Sequence, residues 1–165
     1  MIKYIIATMM ALVLMGCGSD SEAVKNAQAK LVVGQNLNDF KVKDQNEKPQ
    51  TISNDTKIVF FSFSKKVGHI CNEFLGENDV DFLQKHNAVY VADVSPAPSI
   101  IKNMFILPDL KELKFPILLI NDDILSAEYS KDMDKESVVV VFVDNKKITD
   151  IKNLKSKDEL VQLFK

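Results

Sequence analysis

The sequence predicts an α/β domain: a mixed β-sheet carrying helices on both faces. Two observations predict it. Four short runs are almost wholly apolar and rich in β-branched residues, namely KIVFFSF (57–63), AVYVADV (88–94), FPILLI (115–120) and VVVVFV (138–143). Strands covered on both faces read in this way, without the alternation of a half-exposed sheet. Between these runs stand segments whose apolar residues recur at helical spacing, the pattern of strand–helix–strand units.

Each element has its own local reason. From Leu31 to Ser53 apolar and polar residues alternate, with Phe40 and Val42 on one face and Lys41 and Lys43 on the other; Asp44 to Lys48 is turn chemistry, so this stretch predicts a β-hairpin with Thr51 and Ile52 in its return strand. Residues 57–63 form the first core strand. A polar loop from Ser64 leads to Gly68, and Gly68 to about His86 reads as mostly helical, interrupted near Gly76 to Asp79. Residues 88–94 are the second core strand. Ser95 to Ser99, SPAPS, is a turn that opens a helix bearing Ile100, Ile101, Met104, Phe105 and Leu107, and Pro108 is expected to stop it. Residues 115–120 are the third strand, with Pro116 near its start, where proline is tolerated. Asn121-Asp122-Asp123 closes that strand as a turn and Ile124 to Tyr129 is a short helix. Residues 138–143 and Ile148 to Ile151 pair across Asp144-Asn145-Lys146-Lys147. Ser156 and Glu159 have the spacing of a capping box that starts a last helix, with Leu160, Leu163 and Phe164 facing the sheet. No repeat and no second domain is present.

Composition excludes several functions. The chain has 165 residues, enough for one domain with its own core. A net charge of −2 gives no basis for nucleic-acid binding. Every basic residue is lysine, so the planar guanidinium fork that grips carboxylate or phosphate is missing. His69 and His86 are the only histidines and lack ligand spacing, so no metal site and no cofactor is expected.

The amino terminus reads as a targeting segment. Lys3 precedes an apolar stretch from Ile5 to Met15, too short to span a bilayer comfortably. It ends in Leu14-Met15-Gly16-Cys17, which resembles the bacterial lipobox. That resemblance implies a signal peptide over residues 1–16, cleavage before Cys17, diacylglycerol on its sulfur and an acyl chain such as palmitate on its amine. Residues 17–30 are small and polar and read as a tether; residues 31–165 form the folded domain. The lipid bilayer is then a partner through Cys17, and the location is the bacterial cell envelope, with the domain facing the periplasm or the exterior. With Cys17 acylated, Cys71 is the sole free thiol and an intramolecular disulfide is impossible.

Five stretches in order resemble one family. VGQNLNDFKVKDQNEKPQTIS from Val33, KIVFFSFSKKVGHICNEFL, AVYVADVSPAPSIIKNMF, KFPILLINDDILSAEY and VVVVFVDNKKITDI are similar to successive parts of the redoxins, which comprise the alkyl hydroperoxide reductases, thiol-specific antioxidant proteins and peroxiredoxins. The resemblance implies a thioredoxin-like three-layer sandwich with an amino-terminal β-hairpin. It also implies that Cys71 stands where the family keeps its reactive cysteine. The rest of that site departs from the pattern. The family has proline seven positions before the cysteine and Thr or Ser three before it; here Ser64 and Gly68 stand there, and the family's arginine has no counterpart. A Cys-x-x-Cys pair is absent as well.

Chemistry therefore rests on Cys71. At the amino end of a helix the thiol gains thiolate character, with His69 as a donor or acid–base partner, Lys65 and Lys66 supplying positive field, and Ser62 or Ser64 replacing the missing hydroxyl. The bland alternative makes Cys71 a small buried side chain on the face of Phe74 and Leu75. The expected function is a membrane-anchored accessory or binding module, with an envelope protein as partner and no efficient peroxidase activity. The alternative is a one-cysteine thiol peroxidase or thiol reductase using Cys71.

Overall fold

The computed structural model describes residues 19–165. The signal peptide expected over residues 1–16 and the expected lipidation site Cys17 lie outside the described residues. The elements run α1 (Ser19–Lys25), β1 (Lys41–Asp44), β2 (Pro49–Thr51), β3 (Ile58–Ser62), α2 (Lys65–Gly76), α3 (Phe82–Lys85), β4 (Ala88–Asp93), α4 (Ser99–Ile101), a π-helical turn (Lys102–Ile106), α5 (Leu107–Lys111), β5 (Leu118–Ile120), α6 (Asp123–Ser130), β6 (Val138–Asp144), β7 (Lys147–Leu154) and α7 (Lys157–Leu163). No described helix is long and apolar enough to cross a membrane.

Seven strands make one mixed sheet in the order β2-β1-β5-β4-β3-β6-β7. β3 pairs in parallel with β4, and β4 with β5; β6 runs antiparallel to β3, and β1 antiparallel to β5. Right-handed crossovers between adjacent parallel strands put α2 and α5 on the same face. α7 joins them, where Val67, Cys71, Phe74, Leu110 and Leu160 pack over Phe60 and Tyr90. The other face buries Leu31, Leu37, Phe40 and Tyr129 over Val59 and Phe61, with α6 and α1 outside. The three-layer sandwich expected from the strand runs is present.

Four local expectations change. The tether of residues 17–30 is folded from Ser19 onward: α1 packs on α6, Ala27 is buried, Lys30 N–H donates to the Glu128 carbonyl at 3.1 Å and Lys131 Nζ donates to the Ala27 carbonyl. Small polar composition hid a segment whose few apolar side chains find a groove. Pro108 does not stop its helix. The π-helical turn shifts the hydrogen-bond register, Leu107 N–H donating to Lys102 O, and Pro108 falls in the first turn of α5, where its missing N–H costs little. β5 starts at Leu118, three residues later than expected, because buried Gln45 takes the preceding backbone: its Nε2 donates to Phe115 O at 2.8 Å and its Oε1 accepts from Ile117 N at 2.9 Å. Pro116, with no N–H to offer, sits between them. At α7 the Ser156 hydroxyl accepts from Glu159 N as expected, but the Glu159 carboxylate accepts from Lys155 N at 2.7 Å, one residue before the cap.

The β6–β7 turn has Asn145 and Lys146 at φ 47° and 66°. Both central residues at positive φ make the turn that follows the right-handed strand twist. Phe40, just before β1, is fully buried and meets Tyr129 edge-on at 4.9 Å between ring centroids. It ties the leading segment to α6. Phe40→Ala should lower unfolding free energy by roughly 3–5 kcal/mol, read as a fall in the urea midpoint with little change in slope.

Candidate functional site

β3 delivers the chain to the carboxyl edge of the sheet at Ser62. Phe63 turns inward and Ser64 adopts an extended conformation (φ −142°, ψ 157°) that caps α2. Its carbonyl accepts from Gly68 N at 2.9 Å, and its hydroxyl makes a long 3.5 Å contact with Val67 N. The helix therefore begins at Lys65, not at Gly68. That shift decides the environment of Cys71, which lies nearly two turns inside α2 instead of at its amino end. The favourable field of a helix terminus fades within the first turn, so it does not activate this thiol.

Cys71 is fully buried, on the helix face shared with Val67, Phe74 and Leu75. Burial pushes its thiol up from its usual value of 9.0 to about 12, and a hydrogen bond with the Tyr90 hydroxyl offsets only part of that. At neutral pH the thiolate fraction is then on the order of one in 10⁵. Tyr90 is itself buried, and its hydroxyl lies 3.0 Å from Ser62 Oγ. Cys71, Tyr90 and Ser62 form a short polar thread leading from the core to the end of β3. Burial, with the neighbouring Cys71 adding to it, holds the Tyr90 phenol protonated well past its ordinary range.

A cleft of roughly 740 Å³ opens above this thread. It lies at the carboxyl ends of β3 and β4, where ligands gather in open α/β sheets. Ser62, Tyr90 and Ala92 form its floor. Lys65, His69 and Asn72 of α2 form one wall, and Ile101, Phe105 and Ile106 form the other. Asn72 Oδ1 is buried there without a protein partner, so an incoming N–H or O–H would satisfy it. Asp93 at the rim accepts from Ser95 N and Oγ and from Ser126 Oγ, which fixes the loop that leads to α4. A second hollow of roughly 290 Å³ lies beside the β1–β2 hairpin, lined by Lys43, Glu47 and Lys111 among others, away from the thiol.

The residues singled out from sequence are thus partly gathered. His69 is exposed on the cleft wall, while Cys71 faces the core beneath. Lys65 and Lys66 are exposed, and Lys66 stands 3.9 Å from Glu136. Ser64 is committed to the helix cap, whereas Ser62 does place a hydroxyl near the sulfur, through Tyr90. His86 is remote, its Nδ1 2.9 Å from the Phe82 carbonyl. Among the described residues no three His, Cys, Asp or Glu side chains converge to hold a metal ion. Asp122 caps α6 by accepting from Leu125 N at 2.8 Å.

Tyr90 was the residue missed. Its signal was the lone hydroxyl in AVYVADV, but only the parallel register, Phe60 opposite Tyr90 and Ser62 opposite Ala92, brings it to Ser62. Ile101 and Phe105, at helical spacing in the sequence, form an exposed wall of the cleft.

No protein-family model matches the chain, and none of the curated proteins does. Solved structures do. A candidate protein disulfide isomerase from Bacteroides thetaiotaomicron is 19% identical over 84% of this chain and 89% of its own, with a TM-score of 0.51. A thio-disulfide isomerase from Thermus thermophilus is 18% identical over 81% of this chain and 94% of its own, with a TM-score of 0.50. A peroxiredoxin Q variant from Xylella fastidiosa is 13% identical over 80% and 94%, with a TM-score of 0.50. The fold is thioredoxin-like. At these identities the likeness establishes architecture alone, and that architecture is the one implied by the redoxin resemblance of the sequence. Within the thioredoxin-like fold, this chain keeps the cleft at the strand ends and places its one described cysteine below the cleft floor.

Burial of the thiol has a measurable sign. Cys71 stays protonated in the folded state up to about 12 and ionises from about 9 when unfolded. Its contribution to stability is therefore complete below about 9 and is lost as pH rises from there through 12, at roughly 1.4 kcal/mol per pH unit. Denaturant midpoints measured from pH 8 to 11 should fall, and Cys71→Ala should flatten the decline. An equal decline in both proteins would place its origin elsewhere.

Proposed function

We propose that this protein is a membrane-anchored, extracytoplasmic thioredoxin-fold lipoprotein that acts as an accessory or binding module and not as a peroxidase. The single observation that carries the reading is the position of Cys71: fully buried, inside α2, with its thiol held protonated. Peroxide reduction needs an accessible thiolate with donors aligned on the O–O bond. Here the hydroxyl groups nearest the sulfur, Tyr90 and Ser62, bond each other and separate it from the cleft. The cleft has one apolar wall and one polar wall, an unsatisfied Asn72 oxygen and a hydroxyl floor, the makings of a binding site. Attachment through an acylated Cys17 rests on the lipobox-like Leu14-Met15-Gly16-Cys17 behind an apolar stretch.

Two measurements test this. In the folded protein near neutral pH, Cys71 should resist alkylation and label only on unfolding, and hydroperoxide consumption should be unaltered by Cys71→Ser. Ready labelling together with thiol-dependent peroxide turnover abolished by Cys71→Ser would establish the enzymatic alternative. Cells fed a labelled palmitate analogue should incorporate it into the full chain, and Cys17→Ser should lose the label and the membrane association together.

A further inference from the structure

We propose that the cleft holds an extended peptide segment of a partner protein, with an apolar side chain on Ile101 and Phe105 and a backbone amide gripped by the floor and the polar wall. This deepens the binding-module reading of the cleft and rests on it. Gly68 is the first observation. It stands inside α2 without the left-handed backbone that would require glycine, and glycine within a helix weakens it. A Cβ there would lie 3.7 Å from Ser62 Oγ and 3.9 Å from the Tyr90 hydroxyl. The missing side chain therefore keeps that hydroxyl pair open to the cleft. The two hydroxyls hold two hydrogens and spend one on each other. With Tyr90 donating, the Ser62 hydrogen is left for an acceptor above. Asn72 has the opposite need. It is part-buried on the cleft wall, and its Oδ1 is the one buried side-chain oxygen or nitrogen without a partner among the described residues. An acceptor for Ser62 and a donor for Asn72 are the two ends of one peptide unit, C=O and N–H.

Charge and continuity select a peptide. Lys65 on one wall and Asp109 on the other are both exposed, and Asp93 is spent on Ser95 and Ser126. A ligand with net charge would meet one like charge there; an uncharged peptide backbone meets none. The apolar surface also outruns the cleft. Ile100 and Met104, 70% and 63% exposed, continue from Ile101 and Phe105 on the same helical segment, and apolar patches of this kind mark contact with a partner. A small amide would fill the cleft and leave Ile100 and Met104 in water. An extended chain with a second apolar side chain two residues on covers both, since alternate side chains share one face. Backbone hydrogen bonds then hold the segment and the apolar wall chooses its side chains.

The test uses the full-length protein in neutral phosphatidylcholine nanodiscs, with empty nanodiscs as the blank. The probe is the capped peptide Gly-Ser-Phe-Ala-Leu-Ser-Gly carrying an uncharged fluorophore, read by polarisation. Gly68→Ala should weaken binding about fivefold, the worth of one hydrogen bond. Its thermal midpoint should stay level or rise, because alanine favours the helix. Replacing the backbone N–H of the phenylalanine or of the leucine by an ester oxygen, one at a time, should cost about fivefold in one of the two peptides. That penalty should vanish in Asn72→Ala, as it does when both changes remove the same bond. Equal affinity of Gly68→Ala and the unaltered protein, no penalty from either ester, or a penalty that survives in Asn72→Ala overturns the proposal. So does N-acetylphenylalaninamide binding as tightly as the heptapeptide, which would make the occupant a small amide. If no peptide binds while Cys71 still resists alkylation in the same samples, the peptide is overturned and the non-peroxidase reading stands. If Cys71 labels readily and peroxide turnover depends on it, that reading falls and the peptide proposal with it.

Discussion

The structure depends on β3. All five of its residues pair with β4 and the first four, Ile58 to Phe61, pair with β6 as well, and its side chains feed both cores. Val59 and Phe61 point to the layer closed by α6, and Phe60 points to the layer closed by α2 and α7. Phe60 stacks on Tyr90 at 5.1 Å and Phe61 stacks over Tyr129 at 6.2 Å, so each layer is keyed to the strand by an aromatic pair. A strand held this way has one place to release the chain. The end of β3, the start of α2 and the cleft between them follow from it.

That same constraint disarms the cysteine. With the strand ending at Ser62 and Ser64 capping the helix, α2 must begin at Lys65. Position 71 then falls on the stripe of Val67, Phe74 and Leu75 that covers the sheet. A thiol there loses solvent and loses the helix terminus at once, and both changes favour the protonated form. The Tyr90 and Ser62 hydroxyls satisfy each other below the cleft, so the polar groups nearest the sulfur stabilise a closed floor instead of polarising a substrate. What remains open is a concave surface above that floor, with one apolar and one polar wall.

Placement rather than bond chemistry is the theme on the outer surface as well. The π-helical turn carries the chain past Pro108 by shifting the hydrogen-bond register, and it leaves Met104 and Phe105 outward. α1 docks on α6 where a loose tether was expected.

The sequence alone determined the α/β class, the order of core strands, the two hairpins and the last helix cap, because burial on both faces writes itself as unbroken β-branched runs and turns demand particular residues. Tertiary structure decided the rest. Whether Cys71 faced solvent depended on a three-residue shift in the start of α2, set by how β3 ends against its neighbours. Tyr90 joined the site through parallel register with β3, a relation between residues 28 apart in sequence. Ile101 and Phe105 have the spacing of a core face and lie outside, since helical periodicity states which residues share a face and only packing states what that face meets.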